Sequence, residues 1–166
     1  NSRKIKNGDI LSVDCGVIYE EFNSDSAFTV SIGKIPSNIK TLINTTQEAL
    51  KLGIQEAKPG NHIGDIGHSI EKYSKSKGFS VVKEYVGHGI GKKLHEDPQI
   101  PNYGQKSSGP KILSGMALAI EPMLIEGNEK TVVDEDGWTV KTADSSMSAH
   151  FEDTIIITND SYEIVT

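Results

Sequence analysis

The sequence predicts an α+β domain, two helices packed on an antiparallel sheet. Between Ile39 and Gly78 the apolar residues recur at helical spacing, while β-branched runs separated by turn signals lie on both sides. No linker or low-complexity tract interrupts the 166 residues, so 1–166 reads as one domain.

The first run, Asp9 to Tyr19 (DILSVDCGVIY), is rich in β-branched residues and pairs as a hairpin with Ser26 to Ile32, residues 20–24 connecting them. Ile39, Leu42, Ile43, Leu50, Ile54 and Ala57 mark a first helix that Pro59-Gly60 ends. Asn61 caps a second, with Ile63, Ile66, Ile70 and Tyr73 on one face and Gly78 at its close. A strand from Val81 to Val86 leads into a glycine-rich turn, Gly87-His88-Gly89-Ile90-Gly91, and a loop rich in Pro and Gly runs from Glu96 to Gly115. Met116 to Glu126, Lys130 to Asp134 and Thr139 to Thr142 read as strands, with an Asp136-Gly137 turn between the last two. Phe151 to Thr158 and Tyr162 to Val165 form a terminal hairpin.

Composition narrows the function classes. A formal net charge of −6 with dispersed lysines argues against a nucleic-acid surface, and no apolar run is long enough to cross a bilayer. Cys15 has no partner for an internal disulfide, fits a reducing compartment and reads as a small buried strand residue. No signal peptide is legible. The sequence opens at Asn1 with a turn-like Asn-Ser-Arg-Lys rather than with Met, so a fragment lacking its N-terminal part is expected.

Five residues that bind metal well are spread along the chain: Asp14, Asp25, His88, Glu121 and Glu152. Asp14 and Asp25 lie on opposite arms of the first hairpin, where folding brings both carboxylates to one face. Two aspartates in a hairpin are more often solvated. Asp14, however, is flanked by Leu11, Val13, Val17 and Ile18, and a carboxylate on a buried strand needs partners. Glu121 and Glu152 each interrupt an apolar strand, MALAIEPMLI and HFEDTIIIT. His88 sits between glycines that let the backbone turn sharply. His95 follows seven residues later, a spacing that keeps the two rings off one face of a regular strand, so one is expected to bind metal and the other to face substrate. Four carboxylates and an imidazole share a cleft only when cations neutralise them. Thiolate-free, carboxylate-rich ligation suits manganese(II), iron(II) or cobalt(II), with zinc less favoured, and a pair of such ions serves amide hydrolysis.

In order and spacing, VDCGVIYEEFNSDSAFTV, EYVGHGIGKKLHEDPQIPNYG, LAIEPML and DGWTVKTADSSMSAHFEDTIIIT resemble the type I, bacterial-like methionine aminopeptidases, from about Ile5 to the C-terminus. The resemblance implies the pita-bread fold, with helices on the outer face of an antiparallel sheet and an N-terminal part preceding Asn1. It implies two divalent ions held by Asp14, Asp25, His88, Glu121 and Glu152, with Asp25 and Glu152 bridging. It further implies that His95 contacts the peptide and stabilises the tetrahedral intermediate, that Glu121 shuttles the proton, and that Leu94 (where the family commonly has Phe) and Trp138 line the methionine pocket. The implied activity is removal of the initiator methionine from nascent chains. A cytoplasmic monomer is expected, associated with the ribosome, with no membrane and no specific nucleic acid as partner. Two other readings stand beside it: an X-Pro aminopeptidase or prolidase-like hydrolase, and a non-catalytic pita-bread binding module. The KKLH segment after GHGIG disfavours the first, and retention of all five ligands the second.

Overall fold

The computed structural model describes residues 3–166; Asn1 and Ser2, part of the expected turn-like opening, lie outside the described residues. The chain begins with an antiparallel hairpin, β1 (Ile10–Tyr19) and β2 (Phe22–Ser31). Its connection is tighter than residues 20–24: Glu20 and Glu21 alone make the turn, with φ of 46° and 72°. A two-residue turn of this hand matches strand twist, but it normally uses Asn and Gly, so two glutamates do not announce it. Alternation then sorts the side chains. Asp25, Ala27 and Thr29 of β2 are buried toward the protein, while Val13, Val17, Tyr19, Phe22, Phe28 and Val30 form an exposed apolar stripe on the opposite face. Cys15 belongs to that outer face and is exposed rather than buried.

The helices α1 (Ser37–Glu56) and α2 (Ile63–Ser76) follow the spacing of their apolar residues. His62, not Asn61, is the cap of α2: its N–H donates to Asp65 Oδ2 at 2.8 Å, closing a reciprocal capping box. Leu42, Leu50 and Ile54 of α1 and Ile63, Ile66 and Ile70 of α2 join the sheet residues Leu118, Ile120, Ile155 and Ile157 in one buried cluster. Each such side chain contributes about 1.5–3 kcal/mol on leaving water.

The remaining strands are β3 (Ser80–Val81), β4 (Gly87–Gly89), β5 (Glu96–Ile100), β6 (Ala117–Ile120), β7 (Met123–Ile125), β8 (Thr131–Val133), β9 (Val140–Thr142), β10 (Ser148–His150), β11 (Asp153–Ile157) and β12 (Tyr162–Ile164). A five-stranded sheet has the order β12-β11-β6-β4-β5, a three-stranded one β10-β7-β3, and β8 pairs with β9 alone. Four expectations change here. The glycine-rich segment is the strand β4, with β5 on one side and β6 on the other, and part of the expected loop is β5. The Val81–Val86 strand shrinks to β3, and the run Met116 to Glu126 breaks at Glu121-Pro122 into β6 and β7. Proline supplies no ladder N–H, which is why the break falls there.

Candidate metal centre

Register places the donors. Asp14 lies opposite Ala27 and Gly16 opposite Asp25, so the two aspartates are diagonal neighbours on one face. Ala27 also pairs with Glu152 through reciprocal backbone bonds, 3.2 and 2.8 Å. A row Asp14, Ala27, Glu152 therefore runs across β1, β2 and the bridge residue before β11, and the small Ala27 leaves space between the two acids. Thr154 fixes Asp25: its Oγ1 accepts from the Asp25 N–H at 2.9 Å and donates to the Asp25 carbonyl at 2.7 Å. The Ile120↔Asp153 pair brings the next residue on each strand, Glu121 and Glu152, to the same end of the sheet. His88 pairs with Ala119 and so shares its face, turned away from Leu118 and Ile120, which pack under the helices.

The glycines beside His88 act differently from a turn. A Cβ at Gly87 would stand 2.4 Å from the Ala119 carbonyl oxygen, and one at Gly89 2.2 Å from that of Asp97. Glycine is needed because neighbouring strands press against the backbone.

Donor atoms of Asp25, His88 and Glu152 lie within 4.8 Å of one another, and so do those of Glu121, His150 and Glu152. His88 Nδ1 donates to the Gly89 carbonyl at 2.9 Å, so a neutral ring presents an unprotonated Nε2, which faces Glu121 Oε1 at 3.6 Å. Two lone-pair atoms that face each other invite a cation. Glu152, 2% exposed, keeps its Oε1 buried without a protein partner. Burial, with Asp14 and Asp25 beside it, pushes the Glu121 carboxyl up to about 8. Burial, with Glu121, Asp25 and Asp14 beside it, pushes Glu152 up to about 9. Asp25 is raised by burial and by Asp14, and His88 is lowered by burial. The donor set fits hard or borderline divalent cations: oxygen and imidazole ligands, an orphaned buried carboxylate oxygen, and a cleft whose acids resist ionising together.

The remaining candidates are placed unequally. Asp14 is exposed, not buried, because β1 is separated from the core by β2; its charge still acts on Asp25, Glu121, Glu152 and both imidazoles. His95, also exposed, stands edge-on to His88 with ring centroids 4.4 Å apart. Leu94, 38% exposed, leans over Gly16 at the rim: its Cδ1 and Asp25 Oδ1 would each be 3.6 Å from a Cβ there. Trp138 is 86% exposed in the connection between β8 and β9, a hairpin paired only with itself, so its indole walls no enclosed slot. The residue that sequence reasoning missed is His150, whose Nε2 lies 3.6 Å from Glu121 Oε2. Its position two residues before Glu152 was the available signal.

Residues 1–159 match metallopeptidase family M24. The chain belongs to this family. This M24 chain is 47% identical over 165 residues to a methionine aminopeptidase of Clostridium perfringens, covering 99% of this chain and 66% of that protein. The crystal structure of methionine aminopeptidase from Rickettsia prowazekii matches with a TM-score of 0.97 at 41% identity, over 99% of this chain and 66% of that one. Prolidase from Pyrococcus furiosus matches with a TM-score of 0.76 at 24% identity, over 99% of this chain and 43% of that one, a likeness of fold alone. The M24 chain thus has the pita-bread fold, and it spans about two thirds of the length of the curated relatives it matches. No helix among its described residues is long and apolar enough to cross a membrane.

Proposed function

We propose that this M24 chain carries the metal and peptide machinery of an aminopeptidase that removes the N-terminal methionine from nascent proteins. The observation that carries the reading is the cleft of Asp25, His88, Glu121 and Glu152, with Asp14 at its rim, in a chain 47% identical to a methionine aminopeptidase. Asp14, Asp25, His88, Glu121 and Glu152 would hold two divalent ions, manganese, iron, cobalt or zinc, with Asp25 and Glu152 shared between them. When bound, the ions activate water and polarise the scissile carbonyl.

The chain's own groups do the rest. Glu121 accepts the water proton on a carboxylate oxygen and returns it to the leaving amine. His95, exposed beside His88, donates a ring N–H to the oxygen on which charge develops. Leu94 at the rim and Trp138, exposed on its hairpin, would contact the methionine side chain. The same reading places the protein in the cytoplasm as a monomer that meets nascent chains at the ribosome.

The test is competition between Met-Ala-Ser, Leu-Ala-Ser and Ala-Pro peptides with manganese or cobalt. Release of methionine ahead of leucine, with Ala-Pro uncut, is expected. Preference for the Ala-Pro substrate would move the assignment to the prolidase side of the family.

A further inference from the structure

His150 has a half-buried ring whose buried Nε2 meets no hydrogen-bonding partner, and it lies outside the five-ligand set. Its backbone is clamped. The Thr29 hydroxyl donates to the His150 carbonyl at 2.8 Å and accepts the His150 N–H at 2.9 Å, tying β10 to the strand that carries Asp25. Glu121 Oε2 faces Nε2 at 3.6 Å, with a Glu152 carboxylate oxygen in the same cluster, while the other oxygen of Glu121, Oε1, lies 3.6 Å from His88 Nε2. Glu121 is thus bracketed by two imidazoles, one at each oxygen.

The two rings differ in what holds them. An imidazole that ligates a metal ordinarily donates its other N–H to a carbonyl or carboxylate, which sets its tautomer and aim. His88 does this through Nδ1 and the Gly89 carbonyl. His150 does not: no acceptor among the described residues meets its Nδ1. A buried N–H aimed at a carboxylate oxygen, by contrast, is satisfied by closing a few tenths of an ångström.

We propose that His150 is the positioning residue of Glu121: a neutral ring protonated at Nε2 that donates to Glu121 Oε2 and so holds Oε1 toward His88 and the metal. This rests on the metal reading above. The bond uses one lone pair of Oε2 and leaves the other free for proton transfer. His150 touches neither ion nor substrate, and it acts through Glu121 alone.

The test uses the protein labelled with nitrogen-15 in histidine and loaded with cadmium-113, a diamagnetic probe for the site. Coupling to cadmium is expected at His88 Nε2, with His150 uncoupled and its proton on Nε2. Cadmium coupling at His150 would make it a ligand, and a proton on Nδ1 with Nε2 bare would leave it nothing to donate; either overturns the assignment alone. Absence of coupling at His88 would overturn the metal reading and this assignment with it. As a second readout, His150→Leu is expected to weaken cobalt affinity about 10–100-fold, the usual scale for losing such a support, and His150→Gln, which keeps an N–H donor, to recover most of it. Equal affinity in the Leu variant and the unaltered protein would also overturn the proposal.

Discussion

Single side chains carry the strongest pH dependence. With metal absent, Glu121 and Glu152 hold protons in the folded state to about 8 and about 9, against 4.5 for an ordinary glutamate, so the folded state binds more protons than the unfolded one through neutrality. Stability from a raised carboxyl is complete below the unfolded pKa and is lost as pH rises through the folded one. His88 and His150, both lowered by burial, work oppositely but below about 6.5, where histidine titrates. The metal-free melting temperature is therefore expected to fall between pH 7 and pH 9, and metal binding at pH 7 to release protons; calorimetry in buffers of different ionisation enthalpy measures that release. A flat melting profile and no proton release would show that the two glutamates are already ionised. His95 belongs to the same scale. His95→Ala should lower turnover about 100-fold or more, the scale for losing one oxyanion donor, and leave the metal count per chain unchanged.

At the scale of elements, β4 decides whether His88 is in place. Gly89→Ala puts a methyl against the Asp97 carbonyl oxygen, and backbone there cannot swing aside as a flexible side chain would. A destabilisation of about 1–3 kcal/mol is expected, typical of overpacking, together with weaker cobalt binding; denaturant melts and metal titration check both. The same element shows what was legible in the sequence. Glu121 and Glu152 stood out because a carboxylate inside an apolar run has few explanations, and Asp25 because it faces Asp14 across a hairpin. GHGIG was misread because glycine signals both turns and close strand approach, and only the tertiary neighbours choose between them. His150, two residues before Glu152, gave only a weak signal, because a histidine at a strand end is ordinary until Glu121 arrives from another strand. Trp138 was expected beside the methionine pocket by resemblance alone; its own hairpin leaves the indole exposed.

For the whole molecule, cation binding and folding are one equilibrium. Acids that resist ionising together give up their protons to a divalent ion, and whatever binds only the folded state stabilises it by mass action, about 2.7 kcal/mol at a concentration one hundred times the dissociation constant. Millimolar manganese or cobalt is thus expected to raise the melting temperature, and Glu152→Gln to abolish most of that rise. A melting curve indifferent to metal would count against the cleft as a binding site.

The bond between Asp25 and Thr154 closes a loop of 129 residues, whereas α1 and α2 meet across a short connection. Contacts so distant in sequence form slowly, because the entropy of closing the loop must be met before any of them is rewarded. The helical pair is accordingly an early product of refolding and the cleft a late one. After dilution from denaturant, ellipticity at helical wavelengths should recover ahead of the visible absorbance of bound cobalt. Simultaneous recovery of the two signals would mean that the strands carrying the donors close as early as the helices form.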